Sequence, residues 1–387
     1  MKKVIFGTAL ASMALLSACS SDNELANVET SANNAIGFHV VGNKAETRAK
    51  ANIIDNNNIT GTDFRVFAFT RSTEDGSDVN AFMGEKEDEN HQTGVKIDYI
   101  NNDWNYVNKS DLHYWPTSTA LNFYAVSPAD VATNMFGHHS WSIEKKAKTI
   151  SYSCCDEYNN PDGAVNYDLM YAIKENQTQA SNNGKVQFQF KHILSQVVFQ
   201  AKTQLEDMQV DIKDIKIHNI KHGGTFTFPT TSTADGSWSL SPILTNPSQP
   251  GNAFTVVKDK SITVKNTVID ISSDTPMLTI PQQLTAWDVT TPNPKTKMEA
   301  DAADPIQSYL EISCRIQQKG EYLFGKDGYD TIYVPFGTTW QIGKRHIYTL
   351  IFGGGYDDQG NPILMPINFE ATVEGWKDVT SGNDIDM

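Results

Sequence analysis

The stretch VDIKDIKIHNI, residues 210–220, alternates apolar and polar side chains from Val210 to Ile217 with a single interruption. The alternation passes through Ile212, slips by one residue at Lys213-Asp214, and resumes at Ile215. Successive side chains of a β-strand point to opposite faces, so this pattern predicts a strand with one buried face. One extra residue in such a strand is typical of a β-bulge. We therefore predict a half-buried strand with a bulge at Lys213-Asp214.

Segments of similar character lie on both sides of this stretch. They are short, rich in β-branched and aromatic residues, and bounded by Gly, Pro, Asn and Asp, which is typical of strands separated by turns. They are AIGFHVVG (35–42), DFRVFAFT (63–70), GVKIDYI (94–100), ALNFYAVSP (120–128), YDLMYAI (167–173), KVQFQFKHILSQVVFQA, GTFTFP, AFTVV, PMLTIP, SYLEISCRIQ, TIYVPF, RHIYTLIF and PINFEATVEGW. No helical stripe of comparable length is present, so we predict an all-β protein built from antiparallel β-sandwiches.

Length and charge limit the organisation and the partners. A chain of 387 residues that is 39% hydrophobic can form more than one core, and ASNNGK (180–185) resembles a linker. We predict two domains, residues 35–180 and 181–387. The net charge of −15 repels phosphate backbones, and no cluster of Lys and Arg opposes it, so no nucleic acid partner is expected.

The N-terminus has the form of a secretion signal. Lys2 and Lys3 precede an apolar run of about a dozen residues, which is too short to cross a bilayer as a helix. The sequence LSAC that ends at Cys19 resembles a bacterial lipobox, which implies removal of residues 1–18 and acylation of Cys19; the alternative is a plain signal peptide. The polar residues 19–34 predict a tether between the lipid and the folded chain. This implies a surface-exposed lipoprotein of the outer membrane.

Motifs of catalysis and metal binding are scarce. The chain has no G-x-S-x-G, H-E-x-x-H or P-loop motif and no C-x-x-C pair, so we predict no catalytic residue, no metal and no cofactor. Cys154, Cys155 and Cys314 are expected as thiols. YDDQGNP (356–362) and DEYNNPDG (156–163) have oxygen ligands for calcium, but their spacing suits hairpin turns better.

Five motifs occur in a fixed order along the chain. They are LHYWP (112–116) followed by LNFYAVSP (121–128), FQFKHILSQVVFQ (188–200), LTIPQQLT (278–285), YVPF with WQIGKRHIYTLIF (333–352), and INFEATVEGWKD (367–378). Together with the lipobox they resemble the fimbrillin family of Bacteroides-type bacteria, the lipoprotein precursors of type V pili. The resemblance covers almost the whole chain.

The resemblance implies two tandem transthyretin-like β-sandwich domains and a non-enzymatic fimbrial subunit or adhesin. It also implies cleavage by an Arg-specific protease, removal of the N-terminal strand, and assembly with other fimbrial subunits by donor-strand exchange. We assign the cleavage to the bond between Arg48 and Ala49, because Arg48 follows the strand AIGFHVVG in a charged, turn-like stretch. The alternative is that Arg48 is an ordinary surface residue. Arg65 and Arg71 lie in or at the end of a predicted strand, where a protease could not reach them.

Two other functions compete with this interpretation. The aromatic residues, seven tryptophans among them, favour core packing but could also form a sugar-binding surface on a lipoprotein that stays anchored. A secreted hydrolase would need a carboxylate pair from Asp156, Glu157 and Asp162. The receptor, whether host protein or glycan, and the position of the subunit in the shaft or at the tip leave no mark in the sequence.

Overall fold

A computed structural model describes the chain over twelve segments. They are residues 34–40, 53–55, 58–84, 94–130, 138–153, 167–242, 253–258, 261–271, 277–290, 293–353, 356–362 and 368–375.

Strands are the dominant regular structure of the described residues, which confirms the all-β prediction. The strands of the first half are β1 (Gly37–Val40), β2 (Phe64–Arg71), β3 (Asp78–Met83), β4 (Val95–Ile100), β5 (Asp103–Tyr106), β6 (Leu121–Ser127), β7 (His138–Ile143), β8 (Lys148–Ser153), β9 (Met170–Gln177), β10 (Lys185–Phe188), β11 (Lys191–His192), β12 (Ser195–Thr203) and β13 (Met208–His218). Those of the second half are β14 (Gly223–Thr227), β15 (Ser237–Leu240), β16 (Ala253–Val257), β17 (Ile262–Val264), β18 (Ile269–Asp270), β19 (Met277–Thr279), β20 (Gln283–Ala286), β21 (Gln307–Gln318), β22 (Glu321–Phe324), β23 (Asp330–Pro335), β24 (Thr338–Thr339), β25 (Lys344–Phe352) and β26 (Asn368–Gly375).

Helical structure in the described part is confined to short pieces. The α-helix α1 spans Lys297–Asp301 and begins with a capping box, in which Thr296 and Glu299 exchange hydrogen bonds. Three single-turn 3₁₀ helices occupy Ile59–Gly61, Lys109–Asp111 and Ser181–Gly184.

The strands pair into five sheets. A seven-stranded sheet has the order β11-β9-β6-β2-β4-β5, with β3 added on β2. A five-stranded sheet runs β18-β12-β25-β26 with β19 on β12, and an eight-stranded sheet is built around β16-β13-β21-β20-β24. The two smaller sheets are β15-β14-β8-β7 and β1-β10. Most pairs are antiparallel, whereas β1 with β10, β12 with β25, and β20 with β21 are parallel.

The bulge predicted in VDIKDIKIHNI is confirmed. On β13, Ile212 pairs with Cys314 and Asp214 pairs with Ser313, so Lys213 is the extra residue. Ile212 and Ile215 are both fully buried as a result, although three positions separate them. The bulge therefore keeps the apolar residues before and after it on one face of the strand.

Strand pairing joins the two halves of the chain at several places. β1 pairs with β10, β9 pairs with β11, and β8 pairs with β14, so each of these ladders crosses residue 180. The two-domain division at that residue stays a prediction. The part of the fold that concerns function most is the place of β1.

Candidate functional site

The N-terminal segment 34–40, which contains β1, lies in a groove and is held by two other parts of the chain. Residues 37–40 pair in parallel register with residues 185–188 of β10. Just before β1, the N–H of Ile36 donates to the carbonyl of His113 at 2.9 Å, and the N–H of Trp115 donates to the carbonyl of Asn34 at 3.0 Å. The motif LHYWP therefore forms one wall of the groove, and the first residues of FQFKHILSQVVFQ, with those just before them, form the other.

The side chains of this segment alternate between core and solvent. Ile36 and Phe38 are 1% exposed and Val40 is 7% exposed, whereas His39 between them is exposed. Burying three such side chains contributes roughly 1.5–3 kcal/mol each. A chain that lost this segment would expose an apolar groove and an unpaired strand edge.

Aromatic rings form the floor of the groove around Phe38. Its ring lies 6.1 Å from that of Phe188 in a stacked arrangement, and 6.5 Å from both Phe64 and Phe123 in edge-to-face arrangements. The ring of Tyr106 is 5.5 Å away. Offset and edge-to-face pairs at these separations are favourable, so Phe38 is the main apolar anchor of β1.

Two aromatic side chains also hold backbone groups at the groove. The hydroxyl of Tyr106 donates to the carbonyl of Ile36 at 3.0 Å. Burial raises the pKa of Tyr106 well above its ordinary value, so this hydroxyl remains a donor. The indole Nε1 of Trp115 donates to the carbonyl of Gly184 at 3.0 Å. Gly184 has φ +79°, a conformation that favours glycine, and this explains the NG pair in ASNNGK.

The chain is fixed again after the stretch that contains Arg48. Ile53 is 7% exposed, and the N–H of Ile54 donates to Oδ2 of Asp168 at 2.8 Å. Oδ1 of the same carboxylate lies 2.9 Å from Nδ1 of His192, and both side chains are completely buried. Residues 53–54 are therefore attached to the fold independently of β1.

The residues predicted as modification and processing sites lie outside the described residues. These are Cys19, Arg48 and Ala49, and their roles stay predictions. The other four arginines of the sequence lie in strands, at Arg65, Arg71, Arg315 and Arg345.

The environment of Arg65 and Arg71 agrees with the expectation that they lie in or at the end of a strand. Nε of Arg65 donates to the carbonyl of Ala129 at 2.7 Å, and Nη1 donates to that of Gly94 at 2.9 Å. Arg71 is the last residue of β2. A protease that needs an extended, accessible substrate could not bind β2 without unfolding it.

The secondary candidates find no support in the described residues. No group of three His, Cys, Asp or Glu side chains in the described segments is arranged to hold a metal ion. Asp357 in YDDQGNP accepts hydrogen bonds from the N–H groups of Gln359 and Asn361 at 3.0 and 2.8 Å, as in a turn. Cys314 is a buried thiol, and burial raises its pKa well above the ordinary value. The other two thiols and the carboxylates of DEYNNPDG lie outside the described residues.

Most described tryptophans pack in the interior. Trp104, Trp115, Trp287 and Trp340 are at most 6% exposed. Trp141 and Trp238 are partly buried against the core. These six side chains therefore do not form an exposed platform for sugar rings.

The last described strand is placed very differently from β1. β26 lies at the end of its sheet and pairs antiparallel with β25. The side chains from Glu370 to Gly375 are exposed on both faces, and Val373 is 53% exposed. Backbone hydrogen bonds to β25 are thus the main attachment of these residues.

Sequence alone did not identify the ring cluster around Phe38 or the Asp168–His192 pair. The alternation in AIGFHV marks Ile36, Phe38 and Val40 as one buried face, which is the available signal. The walls of the groove come from residues about 75 and 150 positions away, and this distance along the chain hides them from local patterns.

No helix in the described segments is long and apolar enough to span a bilayer. No curated protein matches the chain in sequence. A fimbrial protein from Bacteroides vulgatus has a similar solved structure, with TM-score 0.56 and 19% identity over 89% of this chain and 99% of that one. The fimbrial anchor protein Mfa2 from Porphyromonas gingivalis aligns over 90% of this chain and 99% of its own, with TM-score 0.29 and 10% identity.

The similarity to the Bacteroides vulgatus protein supports only the assignment of the fold. The sequence profile of the fimbrillin-like family matches residues 47–376, which is most of the 387-residue chain. This chain belongs to the fimbrillin-like family.

Proposed function

We propose that this protein is a cell-surface fimbrial subunit that is exported as a lipoprotein and assembled by donor-strand exchange. The observation that carries the proposal is the groove of β1. One short segment, joined to the rest of the fold through residues 41–52, supplies Ile36, Phe38 and Val40 to a core of aromatic rings. Its removal would create a binding site for an extended strand, which is the arrangement that strand addition requires.

Cleavage at Arg48 would suit this arrangement. The new N-terminus at Ala49 would be four residues ahead of Ile53, where the chain is held by burial and by Asp168. At about 3.5 Å per extended residue, the cut end would stay within roughly 14 Å of that attachment. β1 could therefore leave while the remainder of the fold keeps its N-terminal anchor.

The lipid at Cys19 would hold the precursor on the outer membrane until cleavage separates it from the folded chain. Partners are other fimbrial subunits, and a host or glycan receptor would be bound by the assembled fibre. The exposed strand β26 is a segment that this subunit could offer to a neighbour.

The test is made in cells that produce the protein natively. Mass spectrometry of the N-terminal peptide should show Ala49 in the assembled form and acylated Cys19 in the precursor. Arg48→Lys keeps the positive charge but removes the Arg-specific site, so it should abolish the Ala49 terminus and the high-mass bands of unheated gel samples. Lys50→Ala is the matched control in the same segment and should assemble normally. Normal assembly of Arg48→Lys would contradict the processing step.

A further inference from the structure

One side chain crosses the outer face of β1. Lys185 is the β10 residue that pairs with Gly37. A Cβ atom on Gly37 would lie 3.0 Å from Cγ of Lys185 and 3.7 Å from both its Cδ and its Cε. The methylene chain of Lys185 therefore lies against the Cα of Gly37, in space that any other residue would occupy with its own side chain.

The crossing lysine ends on the opposite side of the strand. Its Nζ is 2.7 Å from Oδ2 of Asp103, the first residue of β5. β5 neighbours β1, since Tyr106 of the same strand contacts Phe38 and bonds to Ile36. The lysine thus spans from β10 to β5 over the strand that lies between them.

The charges of this pair are complementary but half exposed to water. Burial acts against the ionised form of Asp103, but the hydrogen bonds from Lys185 and from the N–H of Trp104 outweigh it and hold the pKa of the carboxyl below its ordinary value. The two side chains are 48% and 46% exposed. Exposed pairs of this kind stabilise a fold only slightly, so their position matters more than their energy.

We propose that Lys185 and Asp103 form a latch over the groove and that the latch makes position 37 selective. A strand held there fits best with glycine where the lysine crosses, between two apolar residues that point into the core. This inference rests on the proposed function in one respect, because the selection matters only if another strand replaces β1. The partner it describes is a strand with the pattern large apolar, glycine, large apolar, as in Ile36-Gly37-Phe38.

The C-terminal strand of a second copy does not have this pattern. When Ile367 and Phe369 are aligned with Ile36 and Phe38, the residue at the crossing position is Asn368. An asparagine there would displace Lys185 from Asp103. The latch therefore favours a strand from a different subunit over β26 of the same protein.

Hydrogen exchange of the intact chain tests the latch directly. The opening of the β1–β10 ladder is followed by mass spectrometry of peptides covering residues 34–40 and 185–188. In a strand, Gly→Ala normally stabilises, so Gly37→Ala in the Lys185→Ala background should slow the opening by about threefold. With Lys185 present, the same substitution should give no slowing, because the new Cβ displaces the latch.

Three further variants separate the latch from general effects. In the Asp103→Asn background the lysine is free to move aside. There, Gly37→Ala should again slow the opening, by most of the threefold factor. Lys319→Ala removes another exposed ion pair, which joins Lys319 to Asp207 at 3.6 Å, and should leave the effect of Gly37→Ala unchanged. Lys185→Ala alone should speed the opening by less than about fivefold.

An equal effect of Gly37→Ala in the natural chain and in the Lys185→Ala background would overturn the latch. The measurement uses the monomer, so it does not depend on whether cells cut or polymerise the chain. Failure of the fimbrial function would appear in the Arg48→Lys experiment, and failure of the latch would appear only here.

Discussion

Phe38 is the residue on which the attachment of β1 depends most. It is 1% exposed and contacts four other rings. Phe38→Ala should lower the free energy of unfolding of the β1–β10 region by about 3–5 kcal/mol, because it removes a buried ring and leaves a cavity. Hydrogen exchange of the two strands measures this loss. His39→Ala, on the exposed face of the same strand, should change it by less than about 0.5 kcal/mol. Equal effects of the two variants would mean that β1 is held by its backbone alone.

Asp168 is the second residue with a defined structural role. Its carboxylate is completely buried, bonds to His192, and accepts the N–H of Ile54. Asp168→Ala removes the carboxylate that accepts the N–H of Ile54 and pairs with the ring of His192. The substitution should lower the free energy of unfolding by about 3–5 kcal/mol in urea titrations. Asp235→Ala is the control, since Asp235 is 83% exposed in its pair with Lys191 and should have almost no effect. A loss below about 1 kcal/mol for Asp168→Ala would show that residues 53–54 are attached by other contacts.

His346 should give the fold a measurable sensitivity to mild acid. The residue is 1% exposed, burial lowers its pKa, and its Nε2 accepts the N–H of Gln341 at 3.0 Å. The unfolded chain takes up a proton near pH 6.5 and the folded chain only at lower pH, so this stabilisation is present above pH 6.5 and decreases as the pH falls below it. Urea unfolding between pH 7.5 and 5.5 should show a steeper loss for the natural chain than for His346→Gln. Identical slopes would contradict this role.

At the scale of an element, the bulge in β13 is the feature that the sequence predicts best. Lys213 is the extra residue, so its deletion leaves Ile212 and Ile215 in unbroken alternation and keeps their pairing partners. Deletion of Lys213 should cost less than about 2 kcal/mol, for the local change of twist. Deletion of Lys216 instead moves Ile217 to the opposite face and should cost more than about 4 kcal/mol or prevent folding. Urea titration of both variants measures the difference, and a similar loss in the two would argue against the register described above.

The strands that the sequence predicts are those with several buried residues, on one face or on both. DFRVFAFT, GVKIDYI and RHIYTLIF all form strands at the positions expected, in β2, β4 and β25. β3 was not predicted, because most of DVNAFM is exposed or half-buried and its side chains show no regular alternation. β15, in SWSL, was not predicted either: its four residues alternate, but the strand is short and none of them is fully buried. Apolar periodicity in a sequence reflects which side chains are buried. A strand with few buried side chains therefore shows little periodicity.

Local sequence patterns do not show which strands pair when the strands are far apart along the chain. The segment AIGFHV was predicted as a strand, but its parallel partner β10 lies nearly 150 residues further along the chain. A glycine inside a strand can have several structural reasons, and the sequence does not show which of them applies to Gly37. The structure supplies the reason for a glycine at this position, because the side chain of Lys185 lies against Gly37. The residues that form the groove can therefore be recognised only in the three-dimensional structure.

For the whole molecule, the β15-β14-β8-β7 sheet is one of the structural links between the two halves. β8 pairs with β14 across five residues, and Phe226 of β14 lies 5.0 Å from the ring of Tyr171 on β9. Buried side chains from both halves form one continuous cluster as a consequence.

The proposed exchange of strands between subunits leads to the last prediction. Ala371 and Val373 share one face of β26, and both are exposed in the monomer. If β26 is donated to another subunit, this face enters an apolar groove, where a carboxylate without a partner is strongly unfavourable. The double substitution Ala371→Asp and Val373→Asp should leave the stability of the purified monomer within about 1 kcal/mol in urea titrations. It should also remove the high-mass bands from unheated gel samples of the cells. Thr372→Asp, on the opposite face of the same strand, should leave those bands intact. Persistence of the bands in the double variant would show that a different segment serves as the donated strand.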